Sequence, residues 1–352
     1  MQCTHHLRMN RITIIKPDDW HLHLRAGEEL KSVVDLTAKQ MKRAIIMPNL
    51  TPPVTNVEMA ENYRCEIKSA SDPRLGFEPL MTIYLTDKTD PEEISKAKTS
   101  GVVYGAKLYP AGATTNSESG VTDIKNIYSV LERMEKENLI LQVHGEVVDS
   151  EIDIFDREAV FIDKVLEQVT RDFPELKIVF EHITTKDAVD YVSSKNNNIA
   201  ATITAHHLLS NRNDMLVGGI KPHYYCLPIL KRKKPHQETL IEAATSGNPK
   251  FFLGTDSAPH AKKEKESSCG CAGVLSSLCA IEIYAEVFEE KNALPRLEDF
   301  ASINGPNFYG LEPNQETITL EKITWKIPSK LPYPGGEIIP FLAGREINWK
   351  LV

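Results

Sequence analysis

The stretch TDIKNIYSVLERMEKENLILQVHG, residues 122–145, changes its periodicity in the middle. Ile124, Ile127, Tyr128, Leu131 and Met134 recur three or four residues apart, which places them on one face of a helix. The run 139–143 that follows is apolar apart from Gln142 and too short for a helix, the pattern of a strand covered on both faces. It ends on His144. Working outward, the same unit recurs. Upstream lies VVYGAKLY (102–109). Downstream, DREAVFIDKVLEQVTRDF (156–173) carries Val160, Ile162, Val165, Leu166 and Val169 at helical spacing before KIVFEHI (177–183). IAATITA (199–205) and FFLGTD (251–256) complete the C-terminal half, and EPLMTIYL (78–85) and RAIIMPN (43–49) extend the N-terminal one. The helical EELKSVVDLTAKQMK (28–42) precedes RAIIMPN, and a first strand covers ITII and extends toward HLHL. Eight strands alternating with helices predict an α/β fold, a (β/α)8 TIM-type barrel, with an open doubly wound sheet as the competing architecture.

After Pro313 the pattern changes. TITLEKITWKI (317–327) and REINWKLV (345–352) alternate apolar and polar residues, which predicts short half-buried strands. Residues 1–352 are therefore expected to form one barrel domain, with 1–10 as a flexible tail and 314–352 as an appendage packed on the barrel.

The 352 residues are 41% hydrophobic and 26% charged, with a net charge of −8, an ordinary globular composition that argues against general nucleic-acid affinity. The basic runs KRKK (231–234) and KKEK (262–265) read as solvated loops. Six cysteines without C-x-x-C spacing predict reduced thiols and a cytoplasmic protein. No secretory h-region opens the chain and no apolar run reaches membrane-span length. His5 and His6 are assigned to the tail, and Cys269, Cys271, His223 and His236 are left out of the chemistry.

Polar residues fall on the carboxyl ends of the predicted strands: His21 and His23 on the first, Lys107 on the fourth, His144 on the fifth, His182 on the sixth, Asp256 on the eighth. Each alone has an ordinary explanation. A single histidine is usually a satisfied half-buried side chain, a lysine there reaches solvent, and an aspartate in GTDS caps a helix or forms a turn. Together they occupy the one face where barrels build active sites. Four imidazoles and a carboxylate suit Zn²⁺ or a similar divalent ion, and exceed what one catalytic zinc uses, so two metals are expected. An ammonium beside two dications is unfavourable, so Lys107 must be neutral, displaced or converted to an anion. His206 and His207 follow the seventh strand and are left unassigned, because neighbours on a strand point to opposite faces.

DWHLHLR (19–25), MPNL (47–50), GAKLYPAGATTNS (105–117), VHGE (143–146), EHI (181–183), CLPILKR (226–232), GTDSAPH (254–260), KESSCGCAG (265–273) and NGPNFYGL (304–311) resemble, in order, the motifs of the amidohydrolase superfamily and, within it, the shorter class of the dihydroorotase family. The resemblance implies that Lys107 is carboxylated and bridges two Zn²⁺ ions together with a hydroxide. His21, His23 and Asp256 would complete one metal's ligands, and His144 and His182 the other's. It implies a small-molecule substrate, N-carbamoyl-L-aspartate closing reversibly to L-dihydroorotate and water, with Asp256 as general acid and base. Arg25, which can grip a carboxylate through two parallel hydrogen bonds, is expected to hold the substrate carboxylate with Asn49 and His260. Leu227 and Ala272 would contribute backbone contacts. Thr114 and Thr115 lie in the linker 110–120, which is small, polar and poor in anchors, and are expected to form a mobile lid. A homodimer is also implied. Hydantoinases and dihydropyrimidinases share the barrel and are the alternative. Their β-sandwich draws on a longer N-terminal segment than the 20 residues found here before His21.

Overall fold

The computed structural model describes residues 10–352, so His5, His6 and nearly all of the expected tail lie outside the described residues. The first expected strand is two strands. β1 (Arg11–Ile15) and β2 (Asp18–Leu22) are separated at Lys16 and Pro17 and belong to different sheets. Pro17 has no N–H to donate to a ladder and fixes its own φ, which suits it to the point where the chain leaves one sheet and enters the other. At the break the Lys16 amide donates to Glu316 O, and the Asn314 side chain donates to Lys16 O.

β2 begins a parallel sheet that continues in chain order through β3 (Arg43–Ile46), β4 (Glu78–Tyr84), β5 (Val103–Leu108), β6 (Ile140–Val143), β7 (Ile178–Phe180), β8 (Ile199–Ile203) and β9 (Phe251–Leu253). A parallel bridge between Leu22 and Ser257 joins its last strand back to its first. The same seam carries Asp256 N–H to His21 O at 2.9 Å and His23 N–H to Ser257 O at 3.0 Å. Closure therefore locks the chain around His21, His23 and Asp256.

Helices cover the outside of the barrel. α1 (Gly27–Gln40) buries Leu30, Val33, Val34 and Ala38. The Asn56 side chain caps α2 (Val57–Ala70) by accepting from Met59 N, and Asp90 caps α3 (Pro91–Thr99), which starts on a proline. In the opening stretch, the helical half is a 3₁₀ turn (Ile124–Ile127) running into α4 (Tyr128–Glu137), which stops at Asn138 in the left-handed region before β6. Inside the barrel, Trp20, Ile45, Met47, Leu80, Ile140, Val179, Ala200 and Phe252 form a separate apolar cluster. Asn304–Tyr309, a short helix, closes this end: Tyr309 stacks on Trp20 with ring centroids 4.3 Å apart. Gly305 lies so close that a Cβ there would stand 1.9 Å from Trp20 Nε1.

The C-terminal stretch forms β10 (Thr317–Lys326), the hairpin β11 (Leu331–Tyr333) and β12 (Gly336–Ile338), and β13 (Glu346–Leu351). β10 lies between β1 and β13, antiparallel to both. The Ile12, Ile14, Ile318 and Leu320 side chains of this sheet face the outer core. No helix among the described residues is long and apolar enough to cross a membrane.

Candidate metal centre

At the C-terminal mouth of the barrel, His21 and His23 sit two residues apart on and just beyond β2, and Asp256 lies three residues beyond β9. His21 Nε2 and His23 Nε2 are 3.3 Å apart, and Asp256 Oδ1 is 3.4 Å from the first and 3.1 Å from the second. Nitrogen and oxygen ligands at about 2.0–2.1 Å on a tetrahedral zinc stand roughly 3.3 Å from one another, so these three atoms fit one cation. The His144 and His182 rings continue the cluster: His21 to His182 and His182 to His144 are each 4.8 Å between centroids.

Three of the four imidazoles are held from behind, while His182 Nδ1 has no hydrogen-bond partner. His21 Nδ1 donates to Glu181 Oε2 at 2.9 Å, His23 Nδ1 to Asn49 Oδ1 at 2.9 Å, and His144 Nε2 to Glu146 Oε2 at 2.8 Å. These bonds fix the tautomers and leave the opposite nitrogens free to coordinate. Burial holds the His21 and His182 imidazoles well below the ordinary histidine range, so both present lone pairs at neutral pH. Three site residues, Arg25 (φ 62°), His182 (φ 39°) and Asp256 (φ 45°), adopt left-handed backbone conformations, a local cost kept up by the surrounding hydrogen bonds.

Lys107 lies on β5, fully buried, and its Nζ has no hydrogen-bond partner. Burial pulls its ammonium down to about 8, against the opposing pull of Glu181 and Asp256. An orphaned buried amine among imidazoles and carboxylates fits a group that carries a different load in the working protein.

The cationic side of the pocket is built on Arg25. Its Nε donates to Pro259 O at 3.0 Å and its Nη2 meets His260 Nε2 at 2.9 Å. A guanidinium only donates, so His260 accepts here. His260 Nε2 also lies 3.0 Å from Ala272 O, and burial drives the imidazole down to about 2, keeping it neutral. His21, His23, Arg25, Asn49, Thr114, Thr115, His144, His182, Leu227, Asp256 and Ala272 all line one cavity. Lys107 and His260 stand behind its wall.

The linker 110–120 departs from expectation. It is anchored, because its hydroxyls and amides find partners that local sequence does not reveal. Asn49 Nδ2 donates to Thr115 O at 3.0 Å, Asn116 Nδ2 to Asn49 O at 3.0 Å, and the Thr115 hydroxyl to Ala272 O at 3.2 Å. Ser117 is fully buried and both donates to Thr114 O and accepts from Thr114 N–H. The linker thus lies folded over the cavity.

Several contributing residues escaped sequence reasoning. Glu181 sits beside His182 in EHI, and Glu146 two beyond His144 in VHGE, so an acid next to each strand-end histidine was the available signal. Asp19 is fully buried, accepts from Thr255 N–H and hydroxyl at 2.8 and 2.5 Å and from His21 N–H at 3.1 Å, and burial raises its carboxyl to about 7. The argument that set His206 and His207 on opposite faces does not hold, because β8 ends at Ile203 and Thr204 caps a helical turn, Ala205–Leu209. Both imidazoles are buried with centroids 4.6 Å apart.

Residues 13–345 match the amidohydrolase family. A dihydroorotase of Shewanella sp. (strain ANA-3) is 59% identical over 343 residues, covering 97% of this chain and 100% of the relative. The dihydroorotase of Saccharomyces cerevisiae in complex with 5-fluoroorotic acid superposes with a TM-score of 0.90 at 34% identity, over 98% of this chain and 99% of that one. The dihydroorotase of Campylobacter jejuni superposes with a TM-score of 0.89 at 37% identity, over 97% of each chain.

Proposed function

The chain belongs to the amidohydrolase family, and we propose that it acts there as a dihydroorotase, a hydrolase of cyclic amides. It closes N-carbamoyl-L-aspartate to L-dihydroorotate and water, reversibly, in pyrimidine biosynthesis. The observation that carries this reading is the shared cavity: it sets the Arg25 guanidinium, suited to a substrate carboxylate, beside a cluster of metal-ligating side chains.

The family is metal-dependent, and the donor set fits that requirement. His21, His23 and Asp256 would hold one Zn²⁺, His144 and His182 would hold a second, and Lys107, carboxylated on Nζ by CO₂, would serve as a ligand to both. Carboxylation converts an unpartnered buried amine into an anion, which removes the objection to a lysine at this place. Bound there, the two ions supply Lewis acidity and a water of lowered pKa.

The chain's own groups then do the following. In ring opening a C–O bond forms at the amide carbon as its bond to the ring nitrogen breaks. The proton released by the water passes to Asp256 and from there to the leaving nitrogen. Asp256 Oδ2 is the suitable atom, since Oδ1 faces His21 and His23. Arg25 holds the substrate carboxylate, and His260, accepting from Nη2, sets the plane of the guanidinium. Asn49 has one N–H left for the substrate after bonding His23 and Thr115. Leu227 and Ala272 offer backbone groups to the ring. Thr114 and Thr115 close the cavity against bulk water.

We also take residues 1–352 as a single functional unit acting as a cytoplasmic homodimer. The cytoplasmic assignment is supported by free thiols at every cysteine among the described residues, including Cys269 and Cys271 with sulfurs 3.9 Å apart and unbonded. The experiment that tests the function follows dihydroorotate ring opening in metal-replete, chelated and zinc-restored protein. Activity lost on chelation and recovered with Zn²⁺ is expected. Turnover undiminished by full metal removal, or turnover of hydantoins in preference to dihydroorotate, overturns the reading.

A further inference from the structure

A second cluster of ligating side chains lies outside the cavity just described. The helical turn after β8 brings His206 and His207 against Cys226, and one ligand atom from each of the three lies within 4.8 Å of the other two. All three residues are almost wholly buried. His206 has no hydrogen-bond partner at either Nδ1 or Nε2. A neutral imidazole always carries one N–H, so a buried ring with nothing to donate to and nothing to accept from is costly. Such a side chain calls for an occupant.

The rest of the cluster shows which occupant. His207 Nε2 is 3.7 Å from Cys226 Sγ, close to the nitrogen–sulfur separation of roughly 3.6 Å on a tetrahedral zinc with one imidazole and one thiolate. Pro228 O accepts from His207 Nε2 at 2.9 Å and from the Cys226 thiol at 3.3 Å, so it is in reach to become a fourth ligand once those protons leave. A thiolate with two imidazoles selects a borderline or soft cation over Mg²⁺ or Ca²⁺.

We propose that His206, His207 and Cys226, with the carbonyl of Pro228, form a separate Zn²⁺ site that pins the segment 226–228 to the turn after β8. The protons balance. The cation displaces the Cys226 thiol proton, which leaves to solvent, and the new S–Zn bond takes the electron pair. His207 is free to coordinate through Nε2 once its proton moves to Nδ1, where the Thr204 hydroxyl oxygen, 2.7 Å away, accepts it. Leu227, whose neighbours on both sides hold the ion, lines the main cavity, so the site stiffens one wall of it.

The main centre has no sulfur ligand, so cobalt spectroscopy separates the two sites. The probe is Co²⁺, added to protein in which Cys3, Cys65, Cys269 and Cys271 are serine, leaving Cys226 and Cys279. A thiolate-to-cobalt charge-transfer band in the near ultraviolet is expected. Cys226→Ser abolishes it, Cys279→Ser leaves it, and His206→Leu weakens the cobalt affinity read from it by at least roughly tenfold. Absence of the band in the parent serine variant, its survival in Cys226→Ser, or an unchanged affinity in His206→Leu overturns the proposal. Because the parent variant alone decides the first point, a folding defect in any of the three further variants leaves the inference testable.

Discussion

Arg25→Ala is the substitution that most directly probes substrate choice. A guanidinium has five N–H donors. Arg25 uses one at Pro259 O and one at His260, which leaves three, enough for a two-bond grip on a carboxylate. Arg25 is 9% exposed, so those bonds form out of bulk water. Charge-assisted hydrogen bonds contribute about 1.5–3 kcal/mol each, or about 3–6 kcal/mol for the pair. At about 1.4 kcal/mol per decade, kcat/KM for dihydroorotate should fall roughly 10²- to 10⁴-fold. The substitution also strips His260 and Pro259 O of a partner, a disturbance that acts on any substrate. Dihydrouracil, the same ring without the carboxylate, isolates the difference. The assay is ring opening of both compounds by zinc-loaded wild type and variant, with metal content measured on the same samples. The ratio of the two kcat/KM values should collapse toward one through loss on dihydroorotate. An equal loss on both rings would show that Arg25 only braces the loop 259–260, and the recognition argument would fail.

Glu181→Gln should weaken zinc binding roughly 10- to 100-fold, since the carboxylate orients His21 from behind while keeping its bond to Thr202; competition against a metal buffer measures it. Thr114→Ala with Thr115→Ala should lower turnover while metal content stays intact, and loss of metal would contradict a closing role. Gly305→Ala should lower stability by about 1–3 kcal/mol or more, visible in the urea midpoint, because its Cβ would meet Trp20 Nε1 at 1.9 Å. Glu282 supplies a pH dependence. Burial raises its carboxyl from 4.5 to about 7 in the folded chain, so its contribution is fully present below 4.5 and is lost as pH rises through about 7. Glu282→Gln should therefore stabilise at about pH 8 and have little effect at about pH 4, and equal effects at both would refute the assignment.

Residues 122–145 show what a sequence decides without help. The switch from helical spacing to a short apolar run is local, so the alternation of strands and helices and the strand-end positions of Lys107, His144, His182 and Asp256 follow from pattern, whereas the closure that separates a barrel from an open sheet is decided by the bridge between Leu22 and Ser257. The break between β1 and β2 was visible only as Pro17; that β1 would pair with β10, some 300 residues on, depended on a partner with no local trace. The same holds for Asn49, whose carboxamide joins His23 to the backbone of Thr115, and for Glu181, which reaches back to His21 across the barrel. His206 and His207 depended on one capping threonine turning a strand into a helix. Side-chain type and periodicity are carried by neighbouring residues and can be read along the chain. Which buried nitrogen finds a partner, and which amine is left with none, is a matter of distances between residues far apart in sequence, and only folding fixes those.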